Sequence, residues 1–334
     1  MDTPTIALEH VRCVLCEQDD AQLVFTTQDW LHHLPGEFRV VRCRQCGMVY
    51  LNPRPTRTDI LRFYPEDYAY AATQRQKESW RARVHRAVLI RDYGYPMPEP
   101  ALQEWLNPIA EGYHALYQTI ALPILPWRGG GRLLDVGCGK GDYLAAQRDL
   151  GWQVVGVEIN PHAVRHARDV LNLEILDSDL TDAHLAEHAF DAITMWWYLE
   201  HVPDPLQVLR HARRLIKPDG VLVIGVPNWD SVDAKIFRHV WYHLDVPRHQ
   251  SFFTPATLTA MLRRAGFQRI TLRGSSWLND PAQSVERWLT IRLNKRWAMP
   301  TLGRRLLAPL GWLVGRANRG SVMYALAYPH ADNG

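Results

Sequence analysis

Two sets of residues in this 334-residue chain have types and spacings that could do chemistry. The first is Leu133-Leu134-Asp135-Val136-Gly137-Cys138-Gly139-Lys140-Gly141. An apolar strand runs here into a glycine turn and then a helix start, where the backbone can approach a ligand and free N–H groups face it. Glu158 follows nineteen residues after Gly139, at the end of the second apolar run Val154-Val155-Gly156-Val157. A carboxylate there can take both hydroxyls of a ribose. The G-x-G-x-G spacing, preceded by Asp135, differs from the G-x-G-x-x-G of a dinucleotide site. It favours S-adenosylmethionine (SAM), which has no pyrophosphate to cradle. The second set is Cys13-Val-Leu-Cys16 and Cys43-Arg-Gln-Cys46, two pairs that supply four thiolates for tetrahedral zinc. Redox-active or unpaired thiols are the alternative. Cys138 is expected to be a small packing residue in the turn.

The elements that must position these groups follow from hydrophobic pattern. Asp179 is expected at the end of a third strand, placed to receive an adenine. Phe190 to Trp196 reads as a fourth strand, with Trp196 beside the cofactor. A helix is expected over 206–216, closed by Lys217-Pro218-Asp219-Gly220. Val221 to Asn228 is a fifth strand, apolar throughout. Such strands, alternating with amphipathic helices, imply a parallel sheet covered on both faces. Thr254-Pro255 starts a further helix. Residues 268–273 and 324–328 read as the last two strands.

Ligands in such sheets lie beyond the carboxyl ends of the strands. His201 is expected there, with Glu200 beside it. A second candidate region is the Trp241–Phe253 insert, which holds Asp245, Arg248 and His249. Asp245 could orient His249 as a base while Arg248 holds a phosphate or carboxylate of the acceptor. Alternatively Asp245 pairs with Arg248, and His249 caps the helix beginning near Thr254.

Asp135 to Gly141, Glu158, Asp179, Phe190-Asp191 and Leu199-Glu200-His201 together resemble the class I SAM-dependent methyltransferases. With the four cysteines, the chain is most similar to the bacterial subgroup that includes sugar C-methyltransferases. The resemblance implies a Rossmann-like seven-stranded sheet whose last strand is antiparallel. It also implies a small N-terminal zinc-binding domain that contributes to the substrate side, and SAM as methyl donor. In the sugar enzymes the insert carries a Tyr-His-Glu-His cluster. Here the final His is His249, but the Glu position is Arg248 and the Tyr position is Val246, so the carry-over reaches His249 alone. In the family the stretch containing Tyr64 and Tyr68 often reaches the cofactor pocket; packing at a domain junction is the other reading. Leu-Glu-His-Val-Pro-Asp-Pro also occurs in the group that methylates quinones and other lipid phenols.

Length suits several units: 1–55 a zinc domain with a hairpin over 21–27 and 38–42, 56–125 a helical linker or cap, 126–273 the SAM-binding sheet, and 274–334 a helical insertion with the final strand. Within the linker, residues 72–92 read as a basic helix, 94–100 as a proline-rich turn and 99–120 as a second helix. Lys and Arg number 38 against 35 Asp and Glu, so charge gives no general case for nucleic acid. The absence of a signal segment or a spanning run points to the cytoplasm. The insertion is basic and tryptophan-rich. Across 284–316 it suits a structural cap or homodimer surface, a peripheral contact at the inner face of a membrane, or RNA. The functional expectation is methyl transfer from SAM to a small-molecule acceptor: a sugar nucleotide, a lipid-linked glycan or a secondary metabolite. The alternatives are a quinone or lipid phenol acceptor, a nucleic-acid methyltransferase and a non-catalytic SAM-binding scaffold. Against nucleic acid, strand four does not end in Asn- or Asp-Pro-Pro-aromatic.

Overall fold

The structure, a computed structural model, describes residues 6–64, 80–97, 123–275 and 280–331. The N-terminal unit contains β1 (Leu8–Glu9), β2 (Ala21–Thr27), β3 (Phe38–Cys43), β4 (Val49–Leu51) and β5 (Arg54–Pro55). β2, β3 and β4 form an antiparallel meander, as the expected hairpin requires, and β1 pairs with β5. A single 3-10 turn, Asp59–Phe63, follows, and then helix α1 (Trp80–Tyr93). Tyr68, the first part of the expected basic helix, the end of the proline-rich turn and the expected helix over 99–120 lie outside the described residues.

The large sheet starts with β6 (Arg132–Val136), α2 (Asp142–Asp149), β7 (Gln153–Glu158), α3 (Pro161–Asp169) and β8 (Glu174–Asp177). It continues through β9 (Phe190–Trp196), α4 (Pro205–Leu215) and β10 (Ile216–Pro227). Next come α5 (Val232–Phe237), β11 (Ser251–Phe252), α6 (Pro255–Arg264) and β12 (Arg269–Ser275). Helices α7 (Asp280–Leu293) and α8 (Thr301–Arg316) precede the last strand, β13 (Val322–Tyr328). The seven-stranded order is β12-β13-β10-β9-β6-β7-β8. β13 runs antiparallel to both neighbours, and the other pairs are parallel. The chain winds outward from β6 in one direction and then from β9 in the other. The crevice at that reversal, beyond the carboxyl ends, is where a ligand site forms.

Local chemistry accounts for the helix starts. Asn160 and Asp204 accept backbone N–H groups at the first turns of α3 and α4, each followed by proline. Thr254 and Thr257 cap α6 reciprocally. Thr254 is therefore the cap, not His249. One boundary departs from expectation: Ile216 already pairs with Phe190, and residues 217–220 form an irregularity inside β10. The Lys217 ammonium lies 2.7 Å from Asp191, a carboxylate 1% exposed. Neutralising that buried charge holds the segment against the sheet.

The N-terminal unit is not a separate body. β11 adds to its meander, giving the order β11-β4-β3-β2, so the sheet crosses the boundaries expected at 55 and 126. Val41, Met48 and Tyr50 share one apolar cluster with Leu199, Phe253 and Leu258. Arg264 of α6 donates to the Leu15 carbonyl and pairs with Glu17. Arg248 makes the deepest link. Its guanidinium is fully buried. It donates to Asp29 at 2.9 and 2.7 Å, to Asp245 at 2.7 and 3.0 Å, and to the Phe63 carbonyl at 2.9 Å. The N-terminal four-cysteine unit, the 3-10 turn and the insert thus meet on one cation. Burial alone would raise the Asp29 carboxyl, but hydrogen bonds and charge from Arg248 outweigh it and hold that group below its ordinary range.

Breaking a buried pair from one side leaves an uncompensated charge. Arg248→Met should therefore cost about 3–5 kcal/mol of unfolding free energy in a urea titration. The sign of the acid dependence follows from Asp29. Its folded pKa is depressed, so its stabilisation is present above the unfolded value of about 3.9 and is lost as pH falls through the folded value. Asp29→Asn should lower stability at neutral pH and flatten its decline below about pH 4.

Candidate functional site

Two groups lie near the carboxyl ends of β6, β7 and β9, and a third lies in the N-terminal unit. The first is the glycine turn. Gly137 has φ +70°, and a Cβ there would lie 2.5 Å from the Tyr198 ring, so the turn needs glycine for both conformation and space. Asp135 is 2% exposed and accepts a hydrogen bond from the Thr194 hydroxyl at 2.6 Å. Burial pushes its carboxyl up to about 7 against that bond, and the nearby Glu158 charge adds to the rise. Glu158, 6% exposed, turns back on the loop. It accepts N–H groups from Gly139 at 2.8 Å, Ile159 at 2.9 Å and Asn160 at 2.8 Å. Burial raises it too, with those three N–H groups opposing. The Oε2 atom takes one of these bonds and keeps capacity for a further donor. Two buried carboxylates of raised pKa make a site that gains from a cationic, hydroxyl-bearing ligand. Cys138 is buried in the core, as a packing residue would be.

The remaining expected cofactor residues are less directly placed. β8 ends at Asp177, so Asp179 sits two residues beyond the strand rather than at its end. One Asp179 oxygen accepts from Thr181, and the other lies 3.9 Å from Arg57. Arg57 was not among the expected site residues and has no motif around it. Trp196 ends β9, where its ring meets Tyr143 edge-on at 5.4 Å between centroids. Its indole nitrogen is buried without a hydrogen-bond partner among the described residues.

The second group is the expected acceptor side. His201 and His249, 48 residues apart in sequence, bring their rings to 4.5 Å between centroids. Backbone pairing makes this meeting: the N–H groups of Gln250 and Ser251 both donate to the Glu200 carbonyl, at 2.8 and 3.2 Å. His201 Nδ1 is 2.9 Å from the Tyr64 hydroxyl, so Tyr64 reaches the site through a histidine. His249 Nδ1 donates to the His243 carbonyl at 2.9 Å. His243 is in turn 3.4 Å from Asp280 at the start of α7. Arg287 of α7 donates to the carbonyls of Trp241 and Tyr242, so the helical insertion braces this loop.

Two expectations for the insert are corrected. Arg248 cannot hold an acceptor anion, because its donors are spent on Asp29, Asp245 and Phe63 inside the protein. Asp245 pairs with Arg248, and its carboxylate is 3.9 Å from His249 Nε2, beyond a hydrogen bond. The group that orients His249 is the His243 carbonyl. Glu200, expected only as a neighbour, is 1% exposed, and neither of its carboxylate oxygens has a hydrogen-bond partner among the described residues. Burial pushes it up to about 8. Burial pushes His201 down to about 3 and His249 down to about 4. All three groups are therefore neutral near pH 7.

The third group is the four cysteines. The sulfurs of Cys13 and Cys46, and those of Cys16 and Cys43, are 3.5 Å apart, and one ligand atom from each lies within 4.8 Å of the others. Tetrahedral zinc with bonds of about 2.3 Å spaces its sulfurs by about 3.8 Å, so the cluster has the right size. The two knuckles repeat one turn: Glu17 N–H donates to the Cys13 carbonyl, and Gly47 N–H to that of Cys43. Both turn residues have positive φ, 65° and 75°.

Residues 73–272 match the family described as a methyltransferase domain. An uncharacterized 37.1 kDa protein in transposon TN4556 of Streptomyces fradiae is 29% identical over 209 residues, covering 59% of this chain and 61% of that protein. A ubiquinone biosynthesis O-methyltransferase of Xanthomonas campestris is 32% identical over 184 residues, 49% of this chain and 70% of that enzyme. The chain thus spans less than two thirds of the transposon protein's length. A SAM-dependent methyltransferase structure from Archaeoglobus fulgidus aligns with TM-score 0.42 and 20% identity over 67% of this chain and 92% of that one. With more than half of its length matched by the family, this chain belongs to the methyltransferase domain family.

Proposed function

We propose that the chain transfers the methyl group of SAM to a small-molecule acceptor held against His201 and His249. The convergence of these two imidazoles with Glu200 beside the glycine turn carries this reading. Bound SAM supplies a sulfonium methyl, an electrophilic carbon on a good leaving group. The protein's task is then mainly to hold donor and acceptor in line. Asp135 faces the amino-acid end of the cofactor, and Glu158 takes the ribose hydroxyls through its remaining lone pairs. Asp179 and Trp196 border the adenine side. His201 and His249, neutral and oriented by Tyr64 and the His243 carbonyl, position the acceptor's reacting atom or take its proton. Asp245 acts at one remove, as the counter-ion that keeps Arg248 in place.

The acceptor class we favour is a sugar nucleotide, a lipid-linked glycan or a related secondary metabolite. A phenolic or quinone acceptor is the second reading, and the named activity of the Xanthomonas relative supports it. The brace that α7 makes on the 241–244 loop supports a cap role for the insertion. Among the described residues no helix is long and apolar enough to cross a membrane. The four-cysteine cluster is assigned to structural zinc. Its buried thiols share a core with the sheet domain, so the metal would stiffen the wall on which the insert rests.

Three measurements test these assignments. Glu158→Ala should weaken SAM and S-adenosylhomocysteine binding in calorimetry by about tenfold or more, the loss of a charge-assisted hydrogen-bond set. Unchanged affinity would remove Glu158 from the cofactor site. His249→Ala should lower methyl transfer by about a hundredfold while SAM affinity holds, read with labelled SAM against nucleotide sugars and polyphenols. Full turnover would return the residue to a packing role. Cys43→Ser should reduce bound zinc by about one ion per chain and lower the melting temperature. Equal zinc content in both proteins would count against the cluster as a metal site.

A further inference from the structure

The acceptor-side cluster has a feature that proton transfer does not explain. Glu200 is buried to 1% exposure with both carboxylate oxygens unpartnered among the described residues. A buried carboxyl group without hydrogen bonds is costly even when neutral unless something compensates it. One oxygen lies 4.0 Å from His249 Nε2. One ligand atom from each of Glu200, His201 and His249 lies within 4.8 Å of the others. Three donors at such separations can close on a single ion with bonds of about 2.0–2.2 Å after small side-chain shifts.

The surroundings of the two histidines fit the same arrangement. Histidines that ligate a metal through one nitrogen usually donate the other N–H to an oxygen, which fixes ring and tautomer. His249 gives its Nδ1–H to the His243 carbonyl, and His201 has the Tyr64 hydroxyl at its Nδ1. His249 Nε2 faces Glu200, and the His201 ring also bonds the Arg248 backbone, an interaction that a bound ion would displace. The wider charge balance is favourable. Asp29 and Asp245 share one cation, Arg248, so that buried group carries a net negative charge, and the Asp245 carboxylate lies 3.9 Å from His249 Nε2. The Tyr198 ring against Gly137 places the start of the Tyr198–His201 segment at the cofactor turn.

We infer that Glu200, His201 and His249 form a binding site for a divalent first-row transition-metal ion, separate from the four-cysteine cluster. Two imidazoles and one carboxylate suit such ions better than magnesium or calcium, which prefer all-oxygen shells. Three protein ligands leave coordination positions open. An acceptor oxygen can occupy one, which would deepen the acceptor-pocket reading above. That consequence rests on the proposed function, but metal binding itself does not.

The test uses the full chain with zinc retained in the cysteine cluster and no SAM present. Cobalt(II) is titrated and followed by calorimetry and visible absorption. The expected result is one additional cobalt per chain, with d–d bands of nitrogen and oxygen ligation and no thiolate charge-transfer band. Glu200→Gln, nearly isosteric, and His249→Ala should each weaken binding at least about tenfold, while SAM affinity stays unchanged. If His249→Ala fails to fold, Glu200→Gln decides alone. No cobalt uptake by the parent protein, a thiolate band accounting for all of it, or full affinity in Glu200→Gln would overturn the site. Cobalt bound as expected, in a protein that methylates no small-molecule acceptor, would support the metal site and count against the acceptor-pocket reading.

Discussion

Burial of the Arg248 guanidinium between Asp29 and Asp245 is the constraint on which the rest of the structure turns. A cation taken fully out of water is tolerable only when all its donors are met. Here they are met by two distant segments, at Asp29 and Phe63, and by Asp245 of its own loop, so those segments cannot separate without exposing an unpaired charge. The consequence is positional. His249 follows Arg248 directly, and Gln250 and Ser251 then pair with the Glu200 carbonyl. A structural ion pair thus delivers a histidine to the end of β9, where His201 already stands.

The same burial shapes the electrostatics of the pocket. Glu200, His201 and His249 lie where solvent cannot stabilise charge, so each is driven toward its neutral form. Asp135 and Glu158, on the cofactor side, are pushed in the same direction by the same cause. A methyl donor that is itself a cation suits such a lining. A cationic ligand there would favour the ionised forms of carboxylates that otherwise gain little from being charged. These groups are in this sense set by desolvation rather than by a surplus of fixed charges.

Support for the pocket comes from outside the sheet domain. β11 completes the N-terminal meander, Arg264 reaches the first cysteine knuckle, and α7 holds the 241–244 loop through Arg287 and Asp280. The acceptor-side residues are therefore clamped between the cysteine unit and the helical insertion. Methyl transfer, whose chemistry depends on alignment more than on group transfer to the protein, is a reaction for which such clamping is useful.

What the sequence determined by itself was local. The strand-turn-helix around Gly137, the helix start at Thr254 and the paired cysteines depend on interactions within a few residues, so residue type and spacing suffice to read them. The apolar strands likewise announce a sheet buried on both faces. The family resemblance added strand number, which the seven-stranded sheet bears out, and methyl transfer, which the family match supports. Tertiary structure alone decided the partners of the polar groups in the insert. Arg248 looked available to an acceptor, yet it is consumed by Asp29, 219 residues away. Nothing near Asp29 signals that pairing. The orphaned Glu200 carboxylate and the contact of His201 with His249 were equally invisible. The reason is physical: burial and long-range register are set by how whole elements close on one another, and the cost or gain of a polar group is not defined until its surroundings have lost their water.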